Sequence, residues 1–276
     1  MKTPVFTLLL AVLFLKPTGL DAQENNVPYL ECHYTEKYLR NLQEPDRFTD
    51  DEMTLLISKD CSAFYSRWFD YRQQKKDSVF GKGGSLADWQ AVESYILFPS
   101  SIQGEYTYKN LPERGMLTYT NKLLVFDYKY TTQQTLPQWE ILPEQKDIAG
   151  YDCQCARTDF GGRTWTAWFA TDLPVSDGPW ELCGLPGLIL EAYDAEGQFH
   201  FTCIEINRVS GGKPIEVPKK PYLPCSKEEY IKEVILMNEN VGDFLRKRGL
   251  EAPRALQSDG SWKEEKLNVK FNYIER

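Results

Sequence analysis

The chain has 276 residues, 42% of them hydrophobic and 26% charged, with 16 Tyr, 14 Phe and 7 Trp and a formal charge of -8 at pH 7. This is the composition of a globular protein; it argues against a disordered chain, a collagen-like repeat or a polytopic membrane protein. An acidic chain without a basic block argues against a nucleic-acid or anionic-membrane partner, and the excess of wide, stiff rings favours pleated surfaces over helix faces.

The chain opens on a short basic start, Met1-Lys2, followed by an unbroken apolar run of eleven residues, Val5 to Leu15, and by the small Ala22 before Gln23. The pattern is that of a secretory signal peptide over residues 1–22, the run being too short for the roughly 20 residues that cross a bilayer. The first cysteine, Cys32, stands too far beyond the cut for a lipoprotein. No later run approaches a span, so the expected product is an exported chain, residues 23–276, in the periplasm or associated with the outer membrane.

Residues 28–38 and 52–59 read as strands. Ser66 is placed to cap a helix that stops before Gly81, Gly83 and Gly84, and residues 86–95 form a second short helical candidate. From residue 104 the runs Glu105 to Lys109, Met116 to Thr120, Leu123 to Tyr130 and Gln138 to Ile141 are short and broken by Pro, Gly or Asn, which is meander spacing without helical crossovers. Residues 149–158 and 163–170 form a hairpin about Asp159-Phe-Gly-Gly162. Its alternation puts Arg163, Trp165, Ala167 and Phe169 on one face and Thr164, Thr166 and Trp168 on the other.

Pro186-Gly187 fits the second and third positions of a type II turn, with Gly187 at positive φ. Asp194 to Gly197 turns the chain into an alternating strand, 198–206. Lys213 to Pro224 is a linker, after which a capping box, Ser226 with Glu229, opens one long amphipathic helix up to Gly249, with Gly242 as the point for a bend. A short closing strand is expected within 269–274. The sum is one mainly β (α+β) domain: a large curved antiparallel sheet or half-barrel with a few packed helices, including a long C-terminal one.

Seven cysteines lie in the exported part. An oxidising compartment favours disulfides, and the odd count leaves at least one thiol over. Cys32 with Cys61, on or beside the first two strands, is the preferred bridge. Zinc would have to use Cys153, Cys155, Cys203 and His200, but Cys-x-Cys lacks the usual ligand spacing, and no cofactor is expected. An enzyme would need a nucleophile, a base and an orienting group. His33 and His200 are the two imidazoles, Cys183 is the candidate thiol, and Asp172, Asp177 and Glu181 are the nearby carboxylates. Arg163, beside Trp165, is suited to stack or to pair with a carboxylate.

Gly184-Leu185-Pro186-Gly187-Leu188-Ile189, with Gly162-Arg163-Thr-Trp-Thr-Ala-Trp-Phe169 upstream, Asp177-Gly-Pro-Trp180 before it and Asn272-Tyr-Ile-Glu275 at the end, resembles the GLPGLI family. This is a group of exported Bacteroidetes proteins without an established biochemical function. The similarity runs over about residues 50–276 and is densest at 150–205; Tyr273 departs from the proline that members often carry. The resemblance implies work in the cell envelope, often beside outer-membrane TonB-dependent receptors, and brings no catalytic residues. It marks Arg163, Trp165, Trp168, Trp180, Gly184, Leu185, Pro186 and Gly187 as residues either structural or ligand-facing. The expected function is non-enzymatic, binding an apolar or glycan ligand or docking a partner at the outer membrane. The alternative is a periplasmic hydrolase using carboxylates or Cys183.

Overall fold

The computed structural model describes residues 25–95, 104–252, 254–256, 261–264 and 269–275; the signal peptide expected over 1–22 lies outside them. Strands β1 (Leu30–Leu39), β2 (Phe48–Ile57), β3 (Ser62–Ser66), β4 (Glu105–Lys109), β5 (Met116–Leu123) and β6 (Phe126–Gln133) run as one antiparallel meander. A second meander comprises β7 (Glu140–Ile148), β8 (Tyr151–Phe160), β9 (Arg163–Ala170), β10 (Leu188–Asp194) and β11 (Phe199–Arg208). The two meet where β1 pairs with β11, Leu30 opposite Arg208 and Tyr38 opposite Phe199, and a two-residue strand, β12 (Leu223–Pro224), completes a twelve-stranded open sheet beside β6.

The order of the strands forces the sheet to curl. Laid flat, β6 and β7 would stand ten spacings apart, roughly 48 Å at about 4.8 Å each. Yet they are consecutive in sequence, and the connection through residues 134–139 reaches at most about 25 Å. The two ends of the open sheet are therefore held near each other, and the sheet has a concave and a convex face. Alternation sets what each face carries: in β1, Leu30, Cys32, Tyr34 and Tyr38 are buried in the main core, whereas Thr35 and Lys37 face solvent. Pro143 lies within β7, an edge strand, where its missing N–H disturbs no second neighbour.

Strand β3 has no counterpart in the sequence reading. Its five residues follow a tight turn in which the Ser58 hydroxyl donates to the Cys61 carbonyl at 2.7 Å, and they end at Ser66, whose hydroxyl accepts from the Phe69 N–H. That cap starts α1 (Arg67–Gly81), and α2 (Leu86–Tyr95) follows. The long C-terminal helix expected from the periodicity is instead two short ones, α3 (Lys227–Glu239), with the Ser226–Glu229 capping box in place, and α4 (Val241–Arg246). The break comes at Asn240, not at Gly242: Asn240 leaves helical geometry at φ -148 and ψ 78, and its side chain accepts from the Asp243 N–H to start the next helix. A small separate hairpin joins β13 (Arg254–Leu256) and β14 (Trp262–Glu264). The closing strand expected within 269–274 is reduced to a single bridge between Asn41 and Phe271.

The concave face is filled by three pieces: the connection between β9 and β10, the Tyr230 and Val234 side of α3, and the tail around Asn272 to Ile274. Tyr119 and Tyr130 lie with ring centroids 5.2 Å apart beneath Tyr230, 5.2 and 5.5 Å from them. Such aromatic pairs stabilise beyond the area they bury.

The bridge expected between Cys32 and Cys61 is not formed, and the register explains why. Cys32 is level with Leu55 and Phe64 on the concave side, whereas Cys61 belongs to a small convex cluster with Ala63, Tyr108 and Ile215. Two side chains on opposite faces of one sheet cannot meet the geometry of a disulfide. All seven cysteines are unpaired.

Candidate functional site

Of the residues singled out around the Gly-Leu-Pro-Gly segment, Arg163, Trp165, Trp180, Leu185 and Gly187 are buried, Trp168 is half-buried, and Gly184 and Pro186 are exposed. The Gly161-Gly162 turn between β8 and β9 has positive φ at both positions, 59° and 75°, the requirement of a tight two-residue hairpin. It delivers Arg163 to the concave side. There the buried guanidinium donates through Nε to the Ile274 carbonyl (2.6 Å) and through Nη1 to Asp194 (2.7 Å) and Gln198 (3.0 Å). Nη2 donates to the Asn272 side chain (2.8 Å) and the Tyr273 carbonyl (2.9 Å). Every N–H of the fork is thus directed at a partner, and the C-terminal tail is clamped to the β8–β9 and β10–β11 turns. Trp165 is fully buried and packs on Trp180 at 5.7 Å and on Phe201 at 6.2 Å. Trp168 lies on the convex face under the Lys146 ammonium, 4.3 Å from the ring centre.

Gly184 and Gly187 serve different needs. Gly184 carries the positive φ, 94°, with the Trp139 ring 3.8 Å from where a Cβ would stand. Gly187 does not take the positive φ expected of a type II turn; it is glycine because a Cβ there would overlap the Ala170 carbonyl where β10 begins to pair with β9. Leu185 is buried beside it, and Pro186 sits in the bend between the two glycines. The connection is held from below by Lys109, a buried lysine on β4 that sequence reasoning overlooked; its ammonium bonds the Asp177 carboxylate and the Gly178 carbonyl.

The groups a hydrolase would need are scattered. Cys183 is buried in the concave connection, its carbonyl accepting from the Trp139 indole (2.7 Å) and its sulfur from Gln134 (3.3 Å). Burial pushes its thiol above the ordinary range, the opposite of an activated nucleophile. His200 stands on the convex face, 2.7 Å from the Glu191 carboxylate, which also takes Lys146; these partners hold the Glu191 carboxyl below its usual range. His33, on the same convex side, touches Thr54 and Glu31. Asp172 is exposed, Asp177 is engaged by Lys109, and Glu181 lies 3.6 Å from Lys227, which also binds Glu275. Among the described residues no cluster of three or more His, Cys, Asp or Glu side chains has metal-binding geometry.

A different place gathers aromatic and polar groups around open space. On the convex face, Tyr65 of β3 is directly opposite Tyr106 of β4, and Tyr108 follows two residues on, on the same face. Their ring centroids are 5.1 and 6.0 Å apart with planes inclined by 24° and 7°. These three rings floor a groove of about 510 Å³. One side is α1, whose Asp70, Gln73, Gln74 and Asp77 recur at helical spacing and line the cavity together. Another is the 213–222 segment, with Pro214, Ile215, Pro218 and Tyr222.

Asp70 accepts from the Tyr106 hydroxyl (2.9 Å) and the Gln74 amide (2.6 Å), and burial raises its carboxyl above the usual range. Asp127 at the groove is neutralised by Lys220 (2.6 Å) and Lys122 (3.5 Å). The Tyr222 hydroxyl is buried beside the Thr120 side chain. The sequence carried two signals for this groove, the i, i+2 tyrosines of β4 and the polar stripe of α1. What joins them is the cross-strand pairing of β3, the strand hardest to read.

Residues 161–191 match a protein family described as being of unknown function, Porph_ging. No curated protein matches the chain. Two crystal forms of PNGF-II share the fold with a TM-score of 0.50, at 12% and 13% identity, the match covering 74% of this chain and 32% of theirs. The chain therefore spans about a third of the length of the solved structures it matches, and the likeness concerns the fold alone.

Proposed function

We propose that the chain is an exported, non-enzymatic binding protein of the cell envelope and that it takes its ligand in the tyrosine-floored groove. The observation that carries the reading is the groove itself: rings on the floor and hydrogen-bonding side chains along α1. The signal peptide expected over residues 1–22 and the GLPGLI resemblance support that compartment and suggest an outer-membrane TonB-dependent receptor or another envelope protein as neighbour. No helix among the described residues is long and apolar enough to cross a membrane. Hydrolysis through Cys183 and His200 finds no support, since they stand on opposite sides of the sheet.

The test is capture from envelope extracts with the wild-type protein and with Gln73→Arg, which puts a long cation into the groove from the surface of α1 without touching the core. Proteins, lipids and glycans retained are identified by mass spectrometry. A species enriched by wild type and lost from the variant supports the reading; equal capture by both places binding elsewhere.

A further inference from the structure

Resting on the groove as the binding site, we propose that its ligand is a neutral oligosaccharide. Charge comes first. Four carboxylates and four ammonium groups line the cavity, and Asp127 is already paired with Lys122 and Lys220. A phosphate or polyanion would meet no surplus of positive charge, and a cation no surplus of negative. The hydrogen-bonding character of α1 comes second. Asp70 and Asp77 are acceptors when ionised and so call for a ligand that donates, while Gln73 and Gln74 both donate and accept.

A sugar ring meets these demands at once: its hydroxyls donate to carboxylates and accept from amides, and its C–H groups pack against the exposed ring edges of Tyr65 and Tyr106. The groove, at about 510 Å³, has room for more than one sugar unit. An acyl chain would strip water from Asp70, Gln73, Gln74 and Asp77 and return no hydrogen bond. An extended peptide has no strand edge to join, because β3, β4 and β5 are each paired on both sides. A proline-rich peptide fits aromatic grooves, but its exposed backbone offers carbonyl acceptors to a wall that already bears acceptors.

The experiment is calorimetry or a printed array with neutral oligosaccharides, alongside proline-rich peptides and acyl lipids, using the full mature chain. Neutral oligosaccharides should bind wild type, with affinity lowered at least about tenfold by Gln73→Arg and by Asp70→Asn, the loss of a charge-assisted hydrogen bond. Raising salt from 50 to 500 mM should change that affinity less than about twofold, since no ion pair is made. Groove-dependent binding of a peptide or lipid with no oligosaccharide binding overturns the ligand class and leaves the groove as the site. Binding that Gln73→Arg leaves intact overturns both.

Discussion

Replacing Glu181 by glutamine should make the protein more stable at alkaline pH, against the usual expectation for a residue that faces a lysine. Glu181 follows Trp180 in the concave connection; its side chain is almost wholly enclosed, and one of its oxygens has no hydrogen bond. Lys227 of α3 approaches it at 3.6 Å but stands closer, at 2.6 Å, to Glu275 of the C-terminal tail. Burial first, and the Glu275 carboxylate second, push the Glu181 carboxyl up to about 7.

The folded chain therefore holds this proton more tightly than the unfolded chain does. Its contribution to stability is complete below the ordinary glutamate range near 4.5 and is lost as the pH rises through about 7. At 1.36 kcal/mol per pH unit, the interval corresponds to about 3 kcal/mol. Glutamine keeps the shape and never ionises, so urea denaturation of Glu181→Gln should match wild type near pH 4 and exceed it by up to about 3 kcal/mol at pH 8. Parallel pH profiles for the two proteins, or a variant weaker than wild type at pH 8, would refute the reasoning.

Gly187→Ala should lower thermal stability more than Gly184→Ala. The first drives a methyl into the Ala170 backbone, about 2–3 kcal/mol by analogy with overpacking, and the second strains φ at a roomy position, about 1–2 kcal/mol; the reverse order in melting temperature would contradict the assignment. Arg163→Ala should cost about 3–5 kcal/mol by leaving the buried Asp194 carboxylate without its cation, and the Asn272 amide, which bonds the Arg40 carbonyl at 2.9 Å, should exchange faster with deuterium. Burial raises all seven thiols above the ordinary range, so the native reduced protein at neutral pH should resist iodoacetamide and react first at the half-buried Cys225. Rapid labelling of Cys183 in the folded state would contradict its placement.

Much of the fold was legible because strand alternation is a local signal. Arg163, Trp165, Ala167 and Phe169 face inward as their spacing requires, and the Ser66 cap and Ser226–Glu229 box start helices where they should. What could not be read depends on contacts distant in sequence. Asn240 ends one helix and starts another through a side-chain bond that a hydrophobic stripe running across it does not register. The glycine at 187 answers to the Ala170 backbone rather than to its own φ. Cys32 and Cys61 lie near each other along the chain, and only the register of β1, β2 and β3 shows that they face apart. The groove was hidden for the same reason: its floor joins Tyr65 to Tyr106 across a strand pair interrupted by two helices.

The pairing of β1 with β11 gives the protein an awkward period in its life. Chains emerge N-terminus first, so the first meander can assemble while β11, residues 199–208, has yet to arrive. Until then β1 displays an unpaired edge, with Leu30, Cys32, Tyr34 and Tyr38 bare on the face that will be buried. Such an edge is a template for any passing strand, and a contact so distant in sequence closes slowly. Conditions that hold the N-terminal half extended until the whole chain is present, such as dilution from denaturant at low protein concentration or an attendant chaperone, should decide how much of the material reaches the folded state.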